Sequence, residues 1–528
     1  MTSSVLIDRL DLDFLLRHVL DTDALFGRER FVEHSRETFD AAIGTAQRMA
    51  EDLFLGHYEK SDREEPRFEN GAVRVIPEAR SALEAFSSAG FMASAHDFDE
   101  GGMQLPHVVS LACMVHFYAA NVGTASYAML TIAAANLIQA FGSAEQWQTF
   151  GRPMLEGRWF GTMALTEPQA GSSLADIATM ATPAADGSYR IRGNKVFTSG
   201  GDQDLSENIV HMVLARVSGA PPGVKGISLF IVPKVLPDGR RNDVALAGLI
   251  HKMGWRGTTS TMLNFGEAGD CVGYLVGDEN RGLAYMFQMM NEARINVGLV
   301  ATMLGYRGYL QAKAYAGERL QGRPIGTKDS AAAPVTIDQH PDVRRMLLTQ
   351  KASVEGALAL CLYAARLLDD SETLADAAGR KEAMDLLGLL TPVVKSWPSI
   401  HCLKANDIAI QILGGYGYTR EYPVEQLYRD NRLNPIHEGT TGIQAQDLLG
   451  RKIVADGGQM MAVLCASIRE SAASMKSPLA RQLEEAVQTL DSATAALRDC
   501  IGTENTEKAY WHATAFLESF GSVVVGWL

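Results

Sequence analysis

The chain has 528 residues, of which 47% are hydrophobic, 21% charged and 8% aromatic. These fractions exclude a disordered or collagen-like chain and predict a folded protein with a large apolar core, in about three domains. Its 62 acidic residues against 48 basic ones give a formal charge of −14 at pH 7. That charge argues against a general binder of nucleic acid or of anionic membranes, because phosphate binding depends mainly on cationic side chains.

Cysteine usage and the apolar segments indicate the compartment. The six cysteines are scattered without a CxxC pair, so we expect no zinc cluster or disulfide framework, and a reducing compartment fits best. No basic segment followed by an apolar run opens the chain, so no signal peptide is predicted. The longest apolar stretch, around Tyr127 to Phe141, is interrupted by Thr131, Asn136 and Gln139. It is shorter than the ~20 residues that span a bilayer, and the sequence therefore predicts a buried helix in a cytoplasmic protein.

Three kinds of residue pattern follow one another along the chain: one typical of helices, then one typical of strands, then one typical of helices again. Apolar residues recur at helical spacing over roughly the first 150 residues. Between Gly161 and Gly277, short runs rich in β-branched residues are separated by glycine and proline, which predicts a compact β-domain. Helical spacing is strongest over Val343 to Leu368, and Gly322 to Pro341 is predicted to be a loop between two helices. No GxGxxG motif follows a predicted strand, which disfavours a doubly wound nucleotide-binding sheet.

The first segment that could bind a ligand is Ala164 to Ser173, at the start of the predicted β-domain. Gly171 and its small neighbours would let the backbone approach a flat ligand closely. Thr166 and Ser172 offer hydroxyl groups to it. A polar loop leading into the β-domain is the alternative, and this segment alone favours that interpretation.

A second segment, Gly193 to Gly201, predicts a strand with an aromatic ring and a hydroxyl group on one face. Side chains alternate along a strand, so Phe197 and Ser199 point to the same side. They could both contact one planar ligand. An aromatic ring packed into the core of the β-domain is the alternative.

A third segment places three glycines directly after a helical run, at Gln411 to Tyr418. This pattern is typical of a helix C-cap followed by a sharp turn. Close approach of the backbone to a phosphate or a base is the functional alternative.

A fourth segment contains one carboxylate, Glu438, between Pro435, Ile436 and a flexible Gly-Thr-Thr-Gly run. A surface glutamate near a helix start is the simplest interpretation. If the apolar neighbours bury it in part, its pKa rises, and a carboxylate then becomes a useful base near neutral pH.

Taken together and in order, these segments resemble the acyl-CoA dehydrogenase family of flavoenzymes. The resemblance extends from about residue 80 to residue 455. Its motifs are Leu165–Ser172, Lys195–Ser199, Gln411–Gly417, Glu421–Glu425 and Ile436–Thr440. It implies an α+β multidomain fold with a helical N-terminal domain, a central β-domain and a C-terminal four-helix bundle, with FAD held between the last two. With an additional C-terminal helical tail, the predicted domains are 1–158, 159–280, 281–455 and 456–528.

The resemblance also implies roles for individual residues. Glu438 matches the catalytic base, which removes the α-proton of an acyl-CoA thioester while the β-hydrogen leaves as hydride to the flavin. The residues that match FAD contacts are Leu165, Thr166, Gly171, Ser172, Phe197, Ser199, Arg319, Gln411, Gly414, Gly415 and Thr440. The residues that match acyl-CoA contacts are Ser172, Arg294 and Gly439. A surface ion pair of Arg294 with Glu292 or Asp278 is an equal alternative for that residue.

Partners follow from the same resemblance. Arg319 and the Gln411 to Gly415 segment match residues that contact the FAD of a neighbouring subunit, which implies a homodimer or a dimer of dimers. Electron-transfer flavoprotein is the expected electron acceptor. An acyl-CoA oxidase that uses O₂, and a non-catalytic protein that binds acyl-CoA or flavin, are the two alternatives.

The substrate is less defined, because the chain departs from the family next to the base. His437 replaces the common aromatic residue before it, and Gly442 replaces a frequent glutamine after it. The length of the chain and the segment His340 to Leu348 are similar to a long bacterial subgroup that includes the 3-methylmercaptopropionyl-CoA dehydrogenases. The thioester 3-methylthiopropanoyl-CoA, short straight-chain acyl-CoAs and longer ones all stay open, since acyl-tail recognition depends on pocket shape.

Overall fold

The computed structural model describes residues 4–329 and 331–528, which form two compact units. We call them the helical unit, made of Met1–Ala46, Leu105–Ala119 and Arg294–Leu528, and the sheet unit, made of Gln47–Gln104 and Ala120–Ala293. The helices are α1 Arg9–Phe14, α2 Arg36–Met49, α3 Tyr58–Arg63, α4 Pro77–Ser88, α5 His107–Phe141, α6 Ala144–Gln146, α7 Arg152–Leu155, α8 Gly282–Glu318, α9 Pro341–Thr373, α10 Ala377–Leu413, α11 Val424–Asn431, α12 Thr441–Gln446, α13 Gln459–Ser474, α14 Leu479–Cys500, α15 Thr506–Trp511 and α16 Ala513–Trp527. The strands are β1 Arg67–Glu69, β2 Ala72–Arg74, β3 Trp159–Ala164, β4 Met180–Pro183, β5 Tyr189–Ser199, β6 Asn208–Val217, β7 Ile227–Pro233, β8 Val244–Leu249, β9 Ser260–Phe265 and β10 Val272–Leu275.

The main sheet of the sheet unit has the strand order β10-β7-β6-β4-β5-β9-β8, and β3 pairs with β6. Strand β10 also pairs with the start of β5, so five strands close into a ring. The second half of β5 leaves that ring and pairs with β9. The long strand β5 therefore carries its C-terminal residues 195–199 away from the closed part of the sheet.

The buried strands of this sheet have apolar residues on both faces. Along β6, Met212 and Leu214 pack in one core cluster with the α5 residues 133–138, whereas Val213 and Ala215 pack in a second cluster with β7 and β9. Successive side chains of a strand point to opposite faces, so a strand covered on both sides is apolar throughout. This is why β6 and β7 appear in the sequence as continuous apolar runs.

Close contacts between long helices organise the helical unit. A Cβ atom on Gly298 of α8 would lie 2.1 Å from the carbonyl oxygen of Val394 in α10, so only glycine permits this approach. The C-terminal helix α16 packs on α10 in the same way, through Gly521 against the ring of Trp397. The indole of Trp397 also donates to Ser522 at 3.1 Å. The last described helix is thus part of the packed unit and extends its core.

The predicted order of helices, strands and helices is confirmed. The loop predicted between two long helices lies between α8 and α9, over the described residues of 319–340. Helix α5 is long and apolar enough to cross a membrane, but 94% of its most apolar window is buried inside the protein. Its composition is therefore that of a core helix.

Candidate active site

In the sheet unit, a buried lysine ties the loop after β3 to strand β5. The Lys195 ammonium group donates to the carbonyl oxygen of Leu165 at 3.0 Å and to the carboxylate of Glu167 at 2.8 Å. The backbone N–H of Val196 donates to the carbonyl oxygen of Thr166 at 2.9 Å. The predicted flavin contacts Leu165 and Thr166 are therefore held beside the strand that carries Phe197.

Glu167 fixes the other side of the same loop. Its carboxylate accepts hydrogen bonds from the backbone N–H groups of Ala178 and Thr179 and from the Thr179 hydroxyl, at 2.6 to 3.0 Å. Burial alone would raise the pKa of Glu167, but Lys195 and these donors outweigh it and hold the pKa at about 2. The carboxylate therefore stays ionised and paired. Our sequence analysis did not assign Lys195 or Glu167; the signal it missed is a charged residue inside a predicted buried strand.

Phe197 is held in an unusual conformation on the strand. Its φ is +56°, in the left-handed region, where the pairing of β5 with β9 shifts register between Lys195 and Thr198. Its side chain is 64% exposed, so the alternative of an aromatic ring packed in the β-core is wrong. Thr198 is buried, whereas Ser199 is half-buried. Phe197 and Ser199 are thus both less buried than Thr198 between them, and the register shift at this point interrupts the simple alternation from which a shared face was predicted.

The tip of the 164–173 loop offers open space. Gly171 and Ser172 are exposed, and a Cβ atom on Gly171 would meet nothing within 4 Å. The backbone at Gly171 is therefore open to solvent and not covered by other parts of the protein.

In the helical unit, Glu438 lies in a strained turn just before α12. Glu438 has φ of +53° and Gly439 has φ of +85°, two successive left-handed residues. The Gln444 amide donates to the carbonyl oxygen of Glu438 at 2.9 Å, and the Lys395 ammonium group donates to that of Gly439 at 2.8 Å. Thr440, the next residue, caps α12 through its hydroxyl group. The turn is thus held on both carbonyl groups by buried side chains.

Burial raises the pKa of Glu438, against the lowering effect of the positive charges of Lys395 and Arg294. Arg294 is 2% exposed and donates to Asp447 at 2.9 Å. The predicted alternative for Arg294, a surface ion pair with Glu292 or Asp278, is therefore wrong. A half-buried carboxylate with a raised pKa and cationic neighbours has the properties of a general base.

A chain of buried amides supports the residue before the base. Asn406 in α10 accepts from Asn431, and Asn431 accepts from Asn434, at 2.7 and 2.9 Å. Asn434 in turn lies 3.1 Å from the His437 ring nitrogen. Burial lowers the pKa of His437 to about 3, so this ring is neutral at physiological pH. Every side chain in such a network has a partner, which fixes the segment that leads to Glu438.

A separate pocket of about 450 Å³ in the helical unit brings together three of the predicted FAD contacts, Arg319, Gly414 and Gly415. Gly414 caps α10 with φ of +60° and ψ of −134°, and its N–H donates to the carbonyl oxygen of Gln411. A Cβ atom on either glycine would meet nothing within 4 Å. Gln411 is exposed on the last turn of α10 but does not line the pocket. An open, mostly apolar pocket with one arginine suits an aromatic ring joined to a phosphate.

Three family models match the chain. They are the acyl-CoA dehydrogenase middle domain over residues 162–268, the acyl-CoA dehydrogenase C-terminal domain over 280–453, and the acetyl-CoA dehydrogenase C-terminal-like domain over 459–528. Solved structures of similar fold carry related names. Caenorhabditis elegans ACDH-11 in complex with C11-CoA matches with a TM-score of 0.78 and 19% identity, over 96% of this chain and 85% of that one. A Bacillus anthracis acyl-CoA dehydrogenase complexed with FAD matches with a TM-score of 0.75 and 21% identity, over 93% and 80%.

Curated relatives match over nearly the whole chain. The chain is 37% identical over 530 residues to the 3-methylmercaptopropionyl-CoA dehydrogenase of Ruegeria pomeroyi, covering 98% of this chain and 89% of the relative. It is 36% identical over 540 residues to the broad-specificity linear acyl-CoA dehydrogenase FadE5 of Mycobacterium tuberculosis, covering 98% and 88%.

The matching family models and the curated relatives together define a flavin-dependent oxidoreductase of the acyl-CoA dehydrogenase type. The chain belongs to the acyl-CoA dehydrogenase family, and its cofactor is FAD. The family, the fold class and the cofactor predicted from the sequence are confirmed.

Proposed function

We propose that the protein oxidises an acyl-CoA thioester to the trans-2-enoyl-CoA, with Glu438 as the base that removes the α-proton. The observation that carries this proposal is the geometry of Glu438: a carboxylate in a strained, doubly held turn, half-buried, with Lys395 and Arg294 supplying positive charge. Non-glycine residues persist in such backbone conformations mainly where the surroundings enforce them, and these sites are often functional.

The α-proton of a thioester is weakly acidic, so its removal requires a base of matched pKa and a donor to the developing enolate oxygen. The raised pKa of Glu438 brings the base toward the acidity of its substrate. The backbone N–H of Glu438 is the donor that we assign to the enolate oxygen, and one such donor contributes about 3–4 kcal/mol to the transition state. Gly439 and Arg294 would contact the acyl-CoA beside the base.

Each unit, taken by itself, contains residues that fit part of an FAD molecule. Phe197 presents an exposed ring, Leu165 and Thr166 present a loop fixed by Lys195, and Ser172 and Ser199 add hydroxyl groups. Arg319, Gln411, Gly414 and Gly415 would hold the diphosphate and adenosine of the FAD of a neighbouring subunit, and Thr440 would contact the cofactor beside the base. When bound, FAD accepts the β-hydrogen of the substrate as a hydride, and the protein supplies position and exclusion of water.

For the acyl group we propose two classes, 3-methylthiopropanoyl-CoA and short or longer linear acyl-CoAs. The relatives with 36–37% identity carry names that point to both classes. We further propose electron-transfer flavoprotein as the acceptor, a homodimer or a dimer of dimers as the assembly, and the cytoplasm as the compartment.

The test is anaerobic reduction of the bound flavin by a panel of acyl-CoAs that includes the sulfur-containing thioester. We expect bleaching with at least one member, and a loss of about 10³-fold or more in its rate for Glu438→Gln with FAD retained. Glu470→Gln, an exposed carboxylate on α13, is the control. Equal rates in Glu438→Gln and the native enzyme would refute the assigned base. Rapid H₂O₂ formation in air without need of an acceptor would indicate the oxidase instead.

A further inference from the structure

Lys395 is a buried lysine whose effect on the base can be separated into a hydrogen bond and a charge. It lies in α10 with a relative exposure of 0%, and its ammonium group donates to the carbonyl oxygen of Gly439 at 2.8 Å. That acceptor is 44 positions away in the sequence and directly follows Glu438. Burial of an ammonium group costs free energy unless an opposite charge or hydrogen bonds compensate it. For Lys395 the hydrogen bond to Gly439 and the nearby Glu438 carboxylate supply that compensation.

The turn that Lys395 holds is the turn that orients the base. Two successive left-handed residues, Glu438 and Gly439, form it, and their carbonyl oxygens are held by Gln444 and Lys395 respectively. The left-handed conformation of Glu438 is strained and persists only if its surroundings determine it. Lys395 is therefore one of two side chains that fix the direction of the Glu438 carboxylate and of its backbone N–H.

The charges around Glu438 give Lys395 a second effect. Arg294 from α8 is engaged by Asp447, which also pairs with Arg451 at 2.8 Å, and Lys452 faces the same carboxylate. His437 is neutral because burial lowers its pKa to about 3. Lys395 donates to a neutral carbonyl, and while it is protonated its positive charge favours the ionised form of Glu438. Burial lowers the pKa of Lys395 to about 7, and the Glu438 carboxylate opposes that shift.

We propose that Lys395 is a positioning residue for the dehydrogenation: its ammonium group fixes the turn that carries Glu438 and, while protonated, places a positive charge beside that turn. This inference rests on the proposed function, since it assumes that Glu438 is the base. It adds a residue from a distant helix to the machinery of the reaction and assigns it no contact with the substrate.

The first test compares Lys395→Met with Lys404→Met, an exposed lysine on the same helix. For Lys395→Met we expect flavin reduction at least about tenfold slower, because a small misplacement of a catalytic group has large effects, with KM little changed. The acidic limb of the pH profile should move up by about one pH unit, since Glu438 loses a nearby opposite charge. Lys404→Met should keep the native rate and profile.

Two further variants separate the effect of the hydrogen bonds that hold the turn from the effect of the lysine charge. Gln444→Leu removes a neutral donor from the same turn, so it should slow flavin reduction without moving the acidic limb. Lys395→Gln keeps a donor for the Gly439 carbonyl but not the charge, so it should move the limb with a smaller loss of rate. This second variant also keeps the test decisive if Lys395→Met does not fold.

A structural readout independent of turnover is amide hydrogen exchange over residues 437–441. Exchange should be faster in Lys395→Met than in the native protein, with bound FAD and melting temperature retained, and unchanged in Lys404→Met. Native rate, native pH profile and native exchange in Lys395→Met would overturn the inference. If none of the acyl-CoAs in the panel reduces the flavin of the native enzyme, the proposed function itself fails, and that result is distinguishable because it appears before any variant is made.

Discussion

The side chain of Asp369 in α9 caps a helix that begins 262 residues earlier in the sequence: it accepts the backbone N–H of His107, the first residue of α5, at 2.6 Å. Its second oxygen accepts the N–H of Val108 at 3.0 Å. The first N–H groups of a helix have no partner within the helix and are usually capped by a residue just before it. Here the cap comes from the interior of another helix of the same unit, so it couples the start of α5 to α9.

Removing this cap should destabilise the protein. Asp369→Ala leaves two buried N–H groups without their acceptor, and we expect a loss of about 1–3 kcal/mol in the free energy of unfolding. Asp369→Asn keeps one acceptor oxygen and should lose less. Urea denaturation of both variants measures this, with the exposed Asp499→Ala as control. Native stability in Asp369→Ala would show that water replaces the cap.

The same carboxylate should give the stability a particular pH dependence. Burial raises the pKa of Asp369 from its ordinary 3.8 to about 6. A carboxyl group with a raised pKa in the folded state contributes stability that is fully present below about 3.8 and is lost as the pH rises through about 6. The unfolding free energy of the native protein should therefore fall as the pH rises from about 3.8 to about 6. In Asp369→Asn this fall should be absent. An identical slope in this variant and in the native protein would contradict the assignment.

The ion pair of the sheet unit predicts an effect on both stability and cofactor. Lys195→Met leaves the Glu167 carboxylate buried without its cation, and breaking a buried pair in this way costs about 3–5 kcal/mol. Because the loop with Leu165 and Thr166 loses its tie to β5, we also expect weaker FAD binding. Lys195→Met combined with Glu167→Gln should recover part of the stability. Fluorescence titration with FAD measures cofactor binding, and chemical denaturation measures stability. Native values of both in Lys195→Met would show that the Lys195–Glu167 ion pair supports neither.

Two adjacent glycines of the 450 Å³ pocket offer a matched pair of substitutions. Gly414 has φ of +60° and ψ of −134°, whereas Gly415 has no positive φ, and an added Cβ meets nothing within 4 Å at either. Gly414→Ala should cost about 1 kcal/mol or more in unfolding free energy through backbone strain alone. Gly415→Ala should cost less. Equal melting temperatures for the two variants would show that the turn relaxes without penalty.

The sequence predicted the elements with strong periodicity and missed the weaker ones. Strands β5, β6, β7 and β10 appear as β-branched or apolar runs bounded by turn residues, and α9 follows helical spacing throughout. Strands β8 and β9 were not predicted. They contain small and polar residues such as Gly248 and Asn264, whose strand conformation depends on pairing with each other and with β5. Tertiary pairing overrides local preference there.

The candidate site was predictable where a motif is local and not where its partners are distant. Phe197, Gly414 and Glu438 belong to short segments whose residue types indicate a ligand. Lys395 is in an apolar helix, and no local pattern relates it to Gly439. The left-handed conformations of Phe197 and Glu438 are also invisible in the sequence, because neither residue type favours them.

These two conformations have a consequence for laboratory evolution of the enzyme. Among the described residues, Phe197 and Glu438 are two of seven non-glycine positions with positive φ. Glycine or asparagine adopts such a backbone with less strain, so selection for heat tolerance alone should accept either one at positions 197 and 438. A library screened only for survival at high temperature would therefore accumulate robust but inactive clones, and turnover has to be scored in the same round.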